Sequence, residues 1–173
     1  MAIHRLNHAV LYVSDLGRSV SFYEEVLGFH QVMGFPGAAF MQAPDSSNDH
    51  DLGLFQVPGA GPSQAGRQTV GLYHLAWEVD TLGALEGVEE ALVANNALVG
   101  ATDHGTTKAL YGRDPDGIEF EVCWLVPADQ IDDATVDAKA RMRRLDLKAE
   151  IERYGADTLG GVGVSIAGLV TSR

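Results

Sequence analysis

Two histidines and a pair of glutamates are the residues of this chain whose types and spacing could do chemistry together. His8 opens the alternating segment HAVLYV, and His74 opens the matching segment HLAWEV further along. Glu119 and Glu121 stand two apart in IEFEV. A strand there turns both carboxylates to one face and Ile118, Phe120 and Val122 to the other. A carboxylate on a face otherwise covered by apolar groups is costly unless something positive meets it. Two neutral imidazoles and one carboxylate are the ligands of the 2-His-1-carboxylate site, which leaves positions open on Fe(II) for substrate and oxygen. Taken singly, each histidine reads more simply as a packed or surface residue, and the two glutamates as a solvated strand face. Spacing alone does not choose between Glu119 and Glu121.

The elements that must position these residues follow a repeated pattern. Leu6 to Val13 reads as a strand, Asp15 as a helix N-cap, and Leu16, Val20, Tyr23 and Leu27 as a helical stripe that Gly28 ends. Short apolar segments follow at Phe29 to Phe35, Ala38 to Gln42 and Leu52 to Val57, and then a loop over residues 59–68. The pattern restarts with a strand from Gly71 to Val79, a cap at Asp80 or Thr81, and a helix carrying Leu85, Val88 and Leu92 that stops at Asn95-Asn96. A strand near Ala97 to Ala101 precedes a hairpin, in which Ala109 to Arg113 and Ile118 to Leu125 are joined by the tight turn Asp114-Pro115-Asp116-Gly117. HAVLYVSDL and HLAWEVDTL align, so the chain carries an internal duplication with a period of roughly sixty-odd residues. His8 and His74 are equivalent positions in its two copies. One copy cannot cover its own sheet face, so two copies packed together are expected. Beyond Pro127 the residues turn charged and weakly amphipathic. Asp146 then caps a short helix with Leu147, Ile151 and Tyr154 on its stripe, ended by Gly155, and the segment from Gly160 has no clear pattern.

Composition narrows the function classes. The 173 residues suffice for one domain with a core, or one domain and an appendage. The 46% hydrophobic content with 20 glycines argues for a turn-rich globule. A formal net charge of −12 gives no basic footprint for nucleic acid or an anionic membrane, so small molecules or copies of the chain are the expected partners. Cys123, the single cysteine, lies in an apolar strand and reads as core packing. The N-terminal residues run straight into a strand pattern, and no apolar run approaches a membrane span. A soluble cytoplasmic protein is expected.

Residues 4–125 resemble the vicinal oxygen chelate superfamily, the fold of glyoxalases, bleomycin-resistance proteins and extradiol dioxygenases. The resemblance rests on the His8 strand with Asp15-Leu16 and Ser21-Phe22-Tyr23, on His74-Leu75-Ala76-Trp77, and on Asp114-Pro115-Asp116-Gly117 with Glu121. It implies an α+β fold of two βαβββ modules, one over residues 4–58 and one over 69–127, packed side by side. Their curved sheets would form a metal-containing cup, with a C-terminal helical tail over 128–173. It also implies His8, His74 and Glu121 as metal ligands. Within the superfamily the details resemble type I extradiol catechol dioxygenases: His50-Asp51 enters the last strand of the first module, His104-Gly105 precedes the hairpin, and Tyr111 stands ten residues before Glu121. The segment from His104 to Tyr111 is shorter than in those enzymes.

That resemblance implies Fe(II), with Zn, Ni or Mn as alternatives, and a catechol and O2 as substrates. His50 would be the acid/base, Tyr111 would hydrogen-bond the substrate oxygen with His104 assisting, and Asp51 would orient or cap. A homodimer or higher homo-oligomer is expected. Two other functions within the resemblance are a glyoxalase-type isomerase or lyase and a metal-free drug-binding protein. The first commonly takes a second glutamate near the position of Gly53. His4 and His30 match nothing in the pattern and read as surface residues. Tyr73, Trp77, Phe40 and Trp124 read as core or pocket wall.

Overall fold

The computed structural model describes Ile3, residues 5–64 and residues 70–161, which leaves His4 and most of the glycine-rich C-terminal segment outside the described residues. The chain divides into two compact units. Met1–Gly71 with Asp114–Ile118 form the first, and Leu72–Arg113 with Glu119–Arg173 form the second.

In the first unit the elements are β1 (Ala9–Val13), α1 (Leu16–Leu27), β2 (His30–Phe35), β3 (Ala38–Gln42) and β4 (Leu52–Gln56). The sheet order is β1-β4-β3-β2. Strands β1 and β4 run parallel with Ala9 opposite Leu52, and the other pairs are antiparallel. Helix α1 starts where the Asp15 carboxylate accepts the Arg18 N–H, and it stops at Gly28, whose φ is 70°. Its Tyr23 and Val26 are buried, as are Leu11, Val13, Met41, Leu52 and Leu54 from the sheet. Side chains alternate along a strand, so Val10 and Tyr12 face away from this core and are exposed.

The Asp-Pro-Asp-Gly turn belongs to this unit. One Asp114 carboxylate oxygen accepts the N–H groups of Asp116 and Ile118, at 2.9 and 2.8 Å, and the Tyr23 hydroxyl donates to the other at 3.2 Å. Asp116 in turn accepts the Ser14 N–H at 2.9 Å and the Arg18 guanidinium at 3.0 Å. Gly117 closes the turn with φ of 80°, in the left-handed region that glycine adopts without a steric cost.

The second unit repeats the plan. Its elements are β5 (Leu75–Glu78), α2 (Leu82–Ala94), β6 (Leu98–Asp103), β7 (Thr107–Arg113) and β8 (Glu119–Leu125), followed by a short 3-10 turn (Ala128–Gln130), α3 (Asp133–Lys139), β9 (Arg143–Arg144) and α4 (Leu147–Tyr154). The sheet order is β5-β8-β7-β6-β9. The first and last strands of the repeat are again parallel neighbours. The two sheets of four and five strands with their helices make a mixed α+β fold, and the sequence duplication is a duplication of topology. Leu82, Leu85 and Leu92 of α2 pack over buried Leu110, Phe120 and Val122.

Differences from the sequence reading are local. The strand expected from Gly71 to Val79 is paired only over Leu75–Glu78, and Thr81 rather than Asp80 caps α2. The segment before the tail helix is more ordered than its charge pattern indicates: Asp132 caps α3, and Arg143–Arg144 add a strand to β6. The helix from Leu147 to Tyr154 forms as expected, with Asp146 accepting the Ala149 N–H. It packs on α2, so the tail is part of the second unit.

Lys108 ties the tail down. It is 1% exposed, and its ammonium lies 2.6 Å from Asp103 and 3.0 Å from Glu150 of α4. Removing one partner of a buried ion pair leaves the other uncompensated. Lys108→Met strands two carboxylates and is expected to lower stability by about 3–5 kcal/mol, measured by urea unfolding.

A second expectation concerns Tyr23 in the first unit. Burial, and then the charge of Asp114, push its hydroxyl well above the ordinary 10.0, so the fold keeps a proton that the unfolded chain releases. That contribution is complete below pH 10 and is lost as the pH rises beyond it. Tyr23→Phe is expected to cost about 1–3 kcal/mol at neutral pH, with the gap to the wild type narrowing in alkaline unfolding curves.

Candidate active site

In the second unit, strand register brings the chemistry to one face. Glu121 pairs with Tyr111 on one side and with Ala76 on the other. His74 lies two residues before Ala76, so alternation turns His74, Tyr111 and Glu121 the same way. Phe120, Val122 and Trp124 fill the opposite, helix-covered face. His74 Nε2 stands 3.1 Å from Glu121 Oε2, and both side chains are largely covered. Glu119 points to the same face but is held by Arg113 at 3.3 Å. Geometry therefore separates the two glutamates that spacing left equivalent.

Tyr111 joins this pair to His104. Its hydroxyl is 2.9 Å from His104 Nε2, and Glu121 stands directly opposite it across the two strands. Burial, followed by the negative charge of Glu121, pushes the phenol up to about 12, so Tyr111 stays a neutral hydrogen-bond donor. The His74 ring lies 5.7 Å from Tyr111 and 4.6 Å from Tyr73. His104 sits on a tight turn in which Asp103 accepts the Gly105 N–H at 2.8 Å. Gly105 has φ of 78°, and a methyl added there would run into the Thr135 carbonyl and the Lys139 N–H. Helix α3 of the tail thus presses on the turn that carries His104. Cys123, two residues past Glu121, is buried and its thiol is raised to about 12, first by burial and then by Glu121 and Glu78. It packs as a neutral thiol.

The first unit carries the other candidates. His8, just before β1, faces His50, with ring centroids 4.6 Å apart. Phe40 meets the His50 ring edge-on at 5.0 Å, and Phe35 and Phe55 extend the aromatic cluster. His50 Nδ1 is 3.2 Å from the exposed Asp49. Asp51 is engaged within its own loop: its carboxylate accepts the Ala43 N–H at 2.9 Å, the Ser46 hydroxyl at 2.7 Å and the Asn48 amide at 2.6 Å. Burial would raise its carboxyl, but these hydrogen bonds outweigh it and hold Asp51 below the ordinary value. Gly53, near which the resemblance would put the second glutamate of a glyoxalase-type site, stands opposite both Val10 and Phe40 and supplies no carboxylate.

The donor chemistry fits a divalent cation. Ligand bonds near 2.1 Å at right angles put adjacent donor atoms roughly 3 Å apart, about the separation of His74 Nε2 from Glu121 Oε2. His74 Nδ1 is buried with no hydrogen-bond partner in the structure. Among the described residues no three His, Cys, Asp or Glu side chains gather as a cluster. His74 and Glu121 form a pair in the second unit, and His8 lies in the first. Sequence reading missed Asn7 and Asn48, which hydrogen-bond around His8 and the His50 loop. Side-chain amides carry no periodicity, and an asparagine beside a candidate ligand was the only available signal. No helix among the described residues is long and apolar enough to cross a membrane.

Comparisons with known proteins place the chain in a family. The model of the glyoxalase/bleomycin resistance protein/dioxygenase superfamily matches residues 5–122. Biphenyl-2,3-diol 1,2-dioxygenase 3 of Rhodococcus globerulus is 35% identical over 127 residues, covering 68% of this chain and 62% of that protein. The chain therefore spans less than two thirds of that relative. Virulence protein STM3117 of Salmonella typhimurium is 34% identical over 130 residues, covering 70% of this chain and 85% of that protein. A solved glyoxalase/bleomycin resistance protein/dioxygenase domain from Frankia sp. EAN1pec superposes with a TM-score of 0.61 at 24% identity, over 70% of this chain and 92% of that one. With a family model matched across most of both repeats, this chain belongs to the glyoxalase/bleomycin resistance protein/dioxygenase superfamily.

Proposed function

We propose that the chain is an Fe(II)-dependent extradiol dioxygenase that opens a catechol-type aromatic diol with O2, acting as a cytoplasmic homo-oligomer. The observation that carries this reading is the strand face on which His74 and Glu121 stand 3.1 Å apart, beside a neutral Tyr111 hydrogen-bonded to His104. The 35% identity to a protein named as a biphenyl-2,3-diol dioxygenase supports it, as does the missing carboxylate at Gly53.

In this proposal His8, His74 and Glu121 hold the iron. Fe(II) bound by two histidines and one carboxylate supplies open positions for diol and O2. The rest of the work falls to the chain. Tyr111, as a neutral phenol, donates a hydrogen bond to a substrate oxygen, and His104 fixes the direction of its hydroxyl. His50 would serve as the acid/base toward the diol, its ring held beside Phe40 on the side of the sheet that carries His8. Phe40, packed edge-on against His50, limits the ring's freedom and presents an apolar wall to an aromatic substrate.

The test is oxygen uptake and visible absorbance after anaerobic Fe(II) loading and addition of a panel of catechols. Uptake matched by a yellow ring-opened product is the expected result; silence with iron verified in the protein would contradict the reading. His8→Ala and Glu121→Ala are expected to abolish iron binding. His50→Ala is expected to retain iron while losing about 10²–10⁴ in turnover, and normal turnover in that variant would remove its assigned role.

A further inference from the structure

Around His8 the first unit builds a hydrogen-bond chain whose chemical consequence is the choice of imidazole tautomer. The Asn7 side-chain oxygen lies 2.8 Å from His8 Nδ1. An amide oxygen only accepts, so Nδ1 must carry the proton and the lone pair is left on Nε2. In water a free imidazole side chain favours the opposite tautomer.

Asn7 is itself held in place. Its main-chain oxygen accepts from the Asn48 amide at 2.9 Å, and its own amide nitrogen faces Asn48 Oδ1 at 3.5 Å. Turning the Asn7 amide over would set two oxygens against each other there while pointing N–H groups at His8, so the network selects one orientation. Asn48 uses both of its amide hydrogens, the second on Asp51 at 2.6 Å, and its oxygen also accepts from Arg5 at 2.6 Å. The Gln42 amide nitrogen further donates to the Asn48 main-chain oxygen. Asp51 directly follows His50. One asparagine thus joins the lead-in to β1, which carries His8, to the loop that carries His50.

We propose that Asn7 is a positioning residue that locks His8 in the Nδ1–H tautomer, anchored through Asn48, so that the Nε2 lone pair is presented for metal ligation. The metal half of this statement rests on the proposed function; the tautomer half does not. An outer hydrogen bond of this kind fixes both the ring orientation and the basicity of a ligating histidine.

The experiment has two arms. Long-range ¹H–¹⁵N correlation spectra of the metal-free protein at mildly alkaline pH report the His8 tautomer. Nδ1–H is expected in the wild type and in Asn7→Asp, which keeps the acceptor, and Nε2–H in Asn7→Ala. Titration with Mn(II) then reads affinity, expected to fall about 10–100-fold in Asn7→Ala and to recover in Asn7→Asp. A His8 tautomer unchanged by Asn7→Ala, or Mn(II) bound equally tightly by that variant and the wild type, overturns the proposal. A tautomer that shifts as described in a wild-type protein that takes no Mn(II) supports the role of Asn7 and instead defeats the metal-site reading.

Discussion

The register of β8 against its two neighbours, β5 and β7, decides which side chains of the second unit share a face. Tyr111 opposes Glu121 across β7 and β8, and Ala76 opposes it across β5 and β8. Because side chains alternate with a period of two, that pairing sends Glu121, Tyr111 and His74 to one face and Phe120, Val122 and Trp124 to the core. A slip of one residue would bury the carboxylate under α2 and expose the aromatics. The apolar face therefore holds the polar face in place: the completely buried Phe120, Val122 and Trp124 make any other register costly. The carboxylate then needs a positive or hydrogen-bonding partner, and it meets an imidazole and a phenol.

The first unit solves a different problem with polar chemistry. His50 is carried by a loop, and loops lack a ladder to fix them. Here Asp51, Asn48, Ser46 and Gln42 supply side-chain hydrogen bonds in its place. The aromatic cluster of Phe35, Phe40 and Phe55 forms an apolar floor on the same side of the sheet. Polar clamps and aromatic walls together hold the His50 ring against an apolar surface.

Much of this was legible in the sequence because it is written in local, periodic signals. Asp15, Thr81 and Asp146 cap helices, Gly28 and Gly155 end them, and the two histidine-led strands reveal the repeat. Spacing alone did not separate Glu121 from Glu119, since both lie on one face, and only the family resemblance pointed to Glu121; in the structure Arg113 pairs with Glu119 while His74 stands beside Glu121. Lys108 was invisible for a related reason. A lysine in a strand reads as solvent-facing, and only α4, some forty residues later in the chain, supplies the Glu150 that allows its burial. The asparagines around His8 depend on contacts between positions 7 and 48, which no window along the chain contains.

Superfamily membership accounts for the fold, while the reaction must be argued from the site. Entry of both atoms of O2 into a ring-opened diol is the signature of the proposed reaction. It is tested most directly by mass spectrometry of the product formed from a catechol under ¹⁸O2 by the Fe(II)-loaded protein, quenched at once to limit exchange with water. The proposed reaction gives a product carrying two labelled oxygens. An unlabelled product, or a diol recovered intact, would contradict it.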